Sequence, residues 1–397
     1  MKPDRPSITA IWLAGLVALA VAMGIGRFAF TPLMPLMMRD GLIDAATGAE
    51  LAAANYAGYL LGALSAARLA RAPLRLLRAA LAGVVLLTLA SAWIVQPPLA
   101  WLLRGGAGVC SAWVLVGASS WCLRELALQG QAARGGWLYV GVGLGITAAG
   151  LAAWVGGHQA SAVLWVELAL LAMAGMAIVL WLLRAGQDDP VAPAAAAAAD
   201  APRGRQGLLV WAYGSFGFGY IVPATFLPVM ARQQVDDPRI FGLAWPLFGL
   251  AAALSVLVAA RWCAHWPRRR LWGIAQAVMA LGAALPLLSR APVALAAAAV
   301  LVGGTFMVTT MAGLQLAREI EPAAPMGLLA RLTSAFAAGQ IAGPLLVRLA
   351  GPWLPPGVDA IALGSALATI ALLLSAAWLL AGAGAAPAVS VPPAARG

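Results

Sequence analysis

The sequence predicts an all-α membrane protein of twelve transmembrane helices arranged as two six-helix repeats. Three observations carry this. Of 397 residues, 63% are hydrophobic and 10% charged, against roughly 45–50% apolar and 25% charged in an ordinary soluble domain. No soluble core of this size could hide so much apolar surface. Next, the apolar residues fall in runs of about 20, the length that crosses a bilayer as helix. Lipid leaves every backbone group to be satisfied within its own segment, so such runs are helices, and the alternation of a barrel is absent. Last, the two halves of the chain repeat each other at a nearly constant offset.

Taken in order, the runs lie at 9–33, 46–68, 76–95, 98–122, 135–156, 160–183, 207–230, 240–262, 271–289, 291–317, 326–349 and 358–383. The first is too long for a signal segment and lacks a small-residue cleavage site, so it reads as a retained helix. The fifth is glycine-rich, with Gly141, Gly143, Gly145 and Gly150, and the eleventh carries Gly339 and Gly343. Glycines four apart let helices approach closely, either as static packing or as a moving joint. The longest polar interruption is 184–206, with Arg184, Asp188, Asp189, a run of alanines, Arg203 and Arg205. It reads as a cytoplasmic linker at 185–206 between a half at 1–184 and a half at 207–397.

The repeat is visible around the first and seventh runs. GIGRFAFTPLMPLMMR (24–39) and GFGYIVPATFLPVMAR (217–232) align without a gap, matching Gly24 to Gly217, Gly26 to Gly219, Pro35 to Pro228 and Arg39 to Arg232. Runs two and eight end Ala66-Ala67-Arg68 and Ala259-Ala260-Arg261, and runs four and ten end Arg124-Glu125 and Arg318-Glu319. Parallel repeats of this kind place a substrate site between the halves near the midplane.

The net charge of +11 does not point to nucleic acid, because the basic residues sit in short loops between apolar runs. With the first residue inside, eighteen of the 25 lysines and arginines fall on the inner side, among them Arg71, Arg75, Arg78, Arg268, Arg269 and Arg270, and six on the outer. That bias puts both termini in the cytoplasm. Cys110, Cys122 and Cys263 form no motif, and His158 and His265 fall in loops on opposite sides, so no metal site or cofactor is expected.

The stretches GIGRFAFTPLMP, NYAGYLLGAL (55–64), GVGLGI (141–146) and GQIAGPL (339–345) resemble the YbfB/YjiJ-type branch of the major facilitator superfamily, and six plus six helices with a central linker fit it. The resemblance implies alternating access by rocking of the halves, with helices one, four, seven and ten lining a cavity. The family's Gly-x-Leu-x-Asp stretch after helix two is represented by Gly62, Leu64 and Ala66, without the acid. Its helix-four signature of an arginine and spaced glycines corresponds to Arg104 with Gly105, Gly106 and Gly108.

Arg27 is the sharpest candidate for a translocation site. It lies in an apolar run about six residues from the outer end, roughly 9 Å deep, where a charge costs several kcal/mol unless it meets a cavity or a partner. Its repeat-mate is Tyr220. Two readings stand: an anion site in the central cavity, or a side chain snorkelling outward or locked in an ion pair. Arg104 and Glu167 have similar depth, and an outer-leaflet layer in which Glu167 pairs with Arg104 or Arg27 and carries a coupled proton is expected; a static pair is the rival. Asn55 and Tyr59, four residues apart on one face, together with Tyr139 and Gln340, are further candidates for lining or inter-helix hydrogen bonding. The dinucleotide-like pattern at 24–29 lies within a spanning helix and lacks its strand. The expected protein is a monomeric, proton-coupled secondary transporter of the bacterial inner membrane, moving a small anionic or zwitterionic solute. The rival within transport is a multidrug-type proton antiporter for lipophilic compounds. An enzyme or sensor would need clustered catalytic groups or an appended soluble domain, and the sequence has neither.

Overall fold

The computed structural model describes residues 6–69, 72–93, 96–188, 203–234, 242–263, 265–289, 291–321, 326–355 and 359–382. Among these residues all long elements are helices: α1 Ile8–Arg39, α2 Ala45–Leu69, α3 Pro73–Ala90, α4 Leu99–Leu128, α5 Trp137–Val155, α6 Ser161–Leu182, α7 Arg203–Gln234, α8 Ala244–Trp262, α9 Arg268–Leu288, α10 Pro292–Ile320, α11 Met326–Ala350 and α12 Ala360–Ala381. Eleven are long and apolar enough to cross a membrane. The twelfth, α2, is 25 residues long and carries Glu50, Asn55, Tyr56 and Tyr59 among its apolar residues. The chain runs alternately between a near face, holding Ile8 and Ala381, and a far face.

Three helices outrun the expected boundaries. α4 reaches Leu128 and α10 reaches Ile320, so the Arg124-Glu125 and Arg318-Glu319 pairs lie in final turns instead of loops. α1 continues to Arg39 with Pro32 and Pro35 inside it. Arg27 is therefore 12 residues from the far end, about 18 Å along the axis at 1.5 Å per residue, twice the depth expected. Most of the expected linker, 189–202, lies outside the described residues. Its start is fixed: the Asp188 carboxylate accepts the backbone N–H groups of Leu74 and Arg75 at 2.7 and 3.0 Å and caps the positive N-terminus of α3.

The first six and last six helices pack alike. α2 lies on α4 as α8 lies on α10; α3 lies on α4 and α6 as α9 lies on α10 and α12; α1 lies on α5 and α6 as α7 lies on α11 and α12. Glycine makes the closest of these contacts. A Cβ added at Gly24 would run into the backbone of Gly145 on α5, and one at Gly217 into Phe336 on α11. Two seams join the sets, α5 with α8 and α2 with α11. The first is packed backbone to backbone, with Gly143 against Gly249 and Ala253, and Gly150 against Pro246.

Burial differs between the faces. α1 is buried at every position from 21 to 37 and α7 at every position from 219 to 231. Closer to the near face both show partly exposed residues at each turn, including Leu208 and Trp211. The far half is also bolted: Arg348 Nε pairs with Glu50 Oε1 at 2.9 Å across the α2–α11 seam, and Arg232 on α7 donates to the Pro35 carbonyl of α1. Its repeat-mate Arg39 stays within its own half, pairing with Asp40 and donating to the carbonyls of Gly157 and Gln159. Asp40 in turn accepts Ser161 N–H at 2.7 Å, at the start of α6. Burial pushes the Asp40 carboxyl up, but the hydrogen bonds from Ser161 and Arg39 together with the arginine charge outweigh it, and its pKa is lowered.

Candidate functional site

α1 leaves α-helical geometry over Ala20–Arg27, where it is a π-helix. Phe28 N–H donates to Met23 O, five residues back. Just past the break, Thr31 N–H turns to Phe28 O at 3.2 Å, so the Arg27 carbonyl loses its usual α-helical donor. Arg104 on α4 replaces it. Arg104 Nη2 donates to Arg27 O at 3.2 Å and Nη1 reaches Gly26 O at 3.5 Å, while its guanidinium sits over the rings of Phe30 and Trp165. Arg104 thus holds the broken backbone. Asn55 is engaged beside it, donating to Arg104 O at 2.9 Å, an inter-helix hydrogen bond.

The break points Arg27 into the space between the two helix sets. Its side chain is 3% exposed. Nη2 donates to Gln340 Oε1 on α11 at 2.6 Å, and Gln340 Nε2 donates to Tyr220 OH on α7 at 2.6 Å. Three residues singled out separately, from three helices and both repeats, therefore form one chain. Tyr59 completes it from α2: the guanidinium carbon is 3.9 Å from its ring centre, with Phe28 and Tyr56 at 5.1 and 5.4 Å. Tyr56 OH shares a hydrogen bond with Thr225 on α7 at 3.0 Å. Tyr220 is held between Phe306 and Phe336, stacked within 7° and 4° of parallel. Tyr139 lies nearer the near face, half-buried, its hydroxyl 3.3 Å from Ser119 on α4.

Among the described residues no carboxylate pairs with Arg27, and its Nε has no hydrogen-bond partner. The expected charged layer does not form. Glu167 shares an exposed face of α6 with Val163, Leu170 and Leu171, because these residues recur three and four apart and α6 presents that stripe outward. It reaches neither arginine. The carboxylate that the helices do bury, among the described residues, is Glu125 near the inner end of α4, at 6% exposure.

No curated protein matches this chain. Among solved structures, the nucleoside transporter NupG and a point mutant of it superpose with TM-scores of 0.69 and 0.71, each at 13% identity. The alignments cover 94% of this chain and 100% and 99% of theirs; at that identity the likeness speaks for the fold. The family described as uncharacterised MFS-type transporter YbfB matches residues 19–387. With a helical fold of the same kind over nearly its whole length, the chain belongs to that family of major facilitator membrane transporters and is not an enzyme.

Proposed function

We propose that this transporter carries a small organic anion, or the anionic end of a zwitterion, bound at Arg27 between two six-helix halves that rock about the α5–α8 and α2–α11 seams. One observation supports this above the others: a guanidinium buried at mid-depth with an unpartnered Nε and, among the described residues, no carboxylate to neutralise it. An unpaired charge at that depth costs several kcal/mol, and stacking on Tyr59 offsets part of it. A carboxylate binding bidentately through Nε and Nη2 would offset the rest. Gln340 fits this role as a neutral acceptor that occupies Nη2 in the empty carrier and yields to the solute.

The arginine bias makes the near face cytoplasmic. On that assignment the bolted, fully buried far half of α1 and α7 corresponds to a carrier closed to the outside. Coupling to protons forms part of the proposal, with Glu125 as the buried carboxylate available for it. NupG is a nucleoside transporter, which makes neutral nucleosides the natural contrast. They would leave the Arg27 charge unmatched.

The test is uptake into proteoliposomes holding the purified protein, screened with organic anions, zwitterions, nucleosides and lipophilic cations. Anion uptake that disappears in Arg27→Ala is the expected result. Uptake confined to nucleosides or lipophilic cations and indifferent to Arg27 would overturn the proposal.

A further inference from the structure

The protein sorts its aromatic residues by type. Tryptophan and tyrosine normally share the interfacial belts of a membrane protein. Here nine of the sixteen tryptophans are exposed, among them Trp93, Trp181, Trp262 and Trp353. Among the described residues no tyrosine or phenylalanine is exposed. Four of the five tyrosines of the chain, all but Tyr139 at the start of α5, are buried instead. Tyr213 packs on Phe216 and Phe336, and Tyr220 on Phe216, Phe306 and Phe336.

Their arrangement is directional. Phe28, Tyr56 and Tyr59 surround the Arg27 guanidinium from the first repeat. From the second repeat comes a continuous run of rings: Phe248 stacks on Phe306, Phe306 on Tyr220 and Tyr220 on Phe336. Phe336 is only half-buried and lies four residues before Gln340 on α11, towards the near face. The Tyr59 face is taken by the Arg27 guanidinium and the Tyr220 faces by Phe306 and Phe336, so the ring that a solute anchored at Arg27 can reach is that of half-buried Phe336. Aromatic faces reward a flat, aromatic neighbour over a puckered aliphatic one of equal size, through offset or edge-on ring contacts.

We propose that the transported anion is a planar aromatic monocarboxylate, its carboxylate on Arg27 in the place of Gln340 and its ring against half-buried Phe336. This rests on the reading of Arg27 as an anion site. The test uses intact purified protein and thermal-shift titration with benzoate, cinnamate, cyclohexanecarboxylate, hexanoate, uridine and benzylammonium. Benzoate and cinnamate should stabilise at concentrations at least tenfold lower than cyclohexanecarboxylate, a ratio worth about 1.4 kcal/mol. Phe336→Leu should pull that ratio towards one, and Phe336→Tyr should keep it, which separates lost stacking from lost folding. Arg27→Lys should weaken every carboxylate. Equal, Arg27-dependent binding of benzoate and cyclohexanecarboxylate would overturn the aromatic class while leaving the anion site intact. Binding of uridine or benzylammonium alone, unaffected by Arg27→Lys, would overturn both, as would no response to any carboxylate.

Discussion

α1 and α7 occupy equivalent places in their repeats and carry the same glycine pair and the same far-face proline, yet only α1 breaks. α7 is α-helical without interruption from Arg203 to Gln234 despite Pro223 and Pro228. α1 turns to π geometry over Ala20–Arg27. The packing glycines serve both helices alike: Gly24 meets the backbone of α5 and Gly217 that of α11. The difference lies in hydrogen bonding. The break leaves Arg27 O to be satisfied by Arg104, and the position matching Arg104 in α10 is Ala298, fully buried and apolar. A donor is present in the half that needs one and absent in the half that does not. Short π segments recur at functional sites, and here the break and the buried charge fall at the same residue.

This contrast can be broken by mutation, most severely at the paired site positions. Arg27→Ala should lower anion uptake in proteoliposomes about a hundredfold, near 2.7 kcal/mol, as expected for a charge-assisted contact. Tyr220→Phe removes one neutral hydrogen bond and should cost about fivefold. Equal losses would mean that the halves contribute equally. Next, Glu125→Gln should abolish the dependence of uptake on an imposed pH gradient, whereas Glu167→Gln should leave it within about twofold. Dependence lost in the second variant and kept in the first would reverse the assignment.

Arg104→Ala should cost about 1–3 kcal/mol, because a buried carbonyl loses its donor, and should be read as a drop of several degrees in melting temperature. Ala298→Ser, at the matching place, should shift it by a degree or less. The smallest effect concerns the helix ends. Asp40 has its pKa lowered, so its contribution is complete above the ordinary carboxylate value of about 3.9 and is lost as pH falls through the lowered one. Asp40→Asn should cost about 1 kcal/mol at neutral pH, and its melting temperature should converge with that of the native protein as pH falls through the lowered value. Gln233 follows Arg232 at the equivalent position, so Gln233→Asn should show no such convergence.

The twelve helices were legible in the sequence because the bilayer imposes their length and the apolar runs record it. Arg27, Tyr220 and Gln340 were each legible as polar intruders. Their meeting was not, since it depends on the rotation of α1, α7 and α11 about their axes, and the π segment alters that rotation in one of them. Glu167 shows the same limit. Hydropathy gives depth along a helix but not direction around it, and α6 turns this residue outward with Val163 and Leu171. The bond of Arg104 to Arg27 O was not legible, because its acceptor is a backbone carbonyl freed by a break that composition does not announce. Phe306 and Phe336 gave no signal at all, being apolar residues in apolar helices. The burial of Tyr56, Tyr59, Tyr213 and Tyr220 marks the same region, and it is read from the structure alone.

The hydrogen-bond chain through Gln340 has a consequence for ancestry. If the repeats descend from one six-helix protein that paired with itself about a two-fold axis, a given residue would have met its own copy there. Positions 27 and 220 now stand one amide group apart. Arginine at both would have set two buried cations against each other, and tyrosine at both would have held no charge. Only after duplication joined the copies could one side keep a guanidinium and the other a phenol, so the asymmetry of the site is something that a single chain can encode and a symmetric pair cannot.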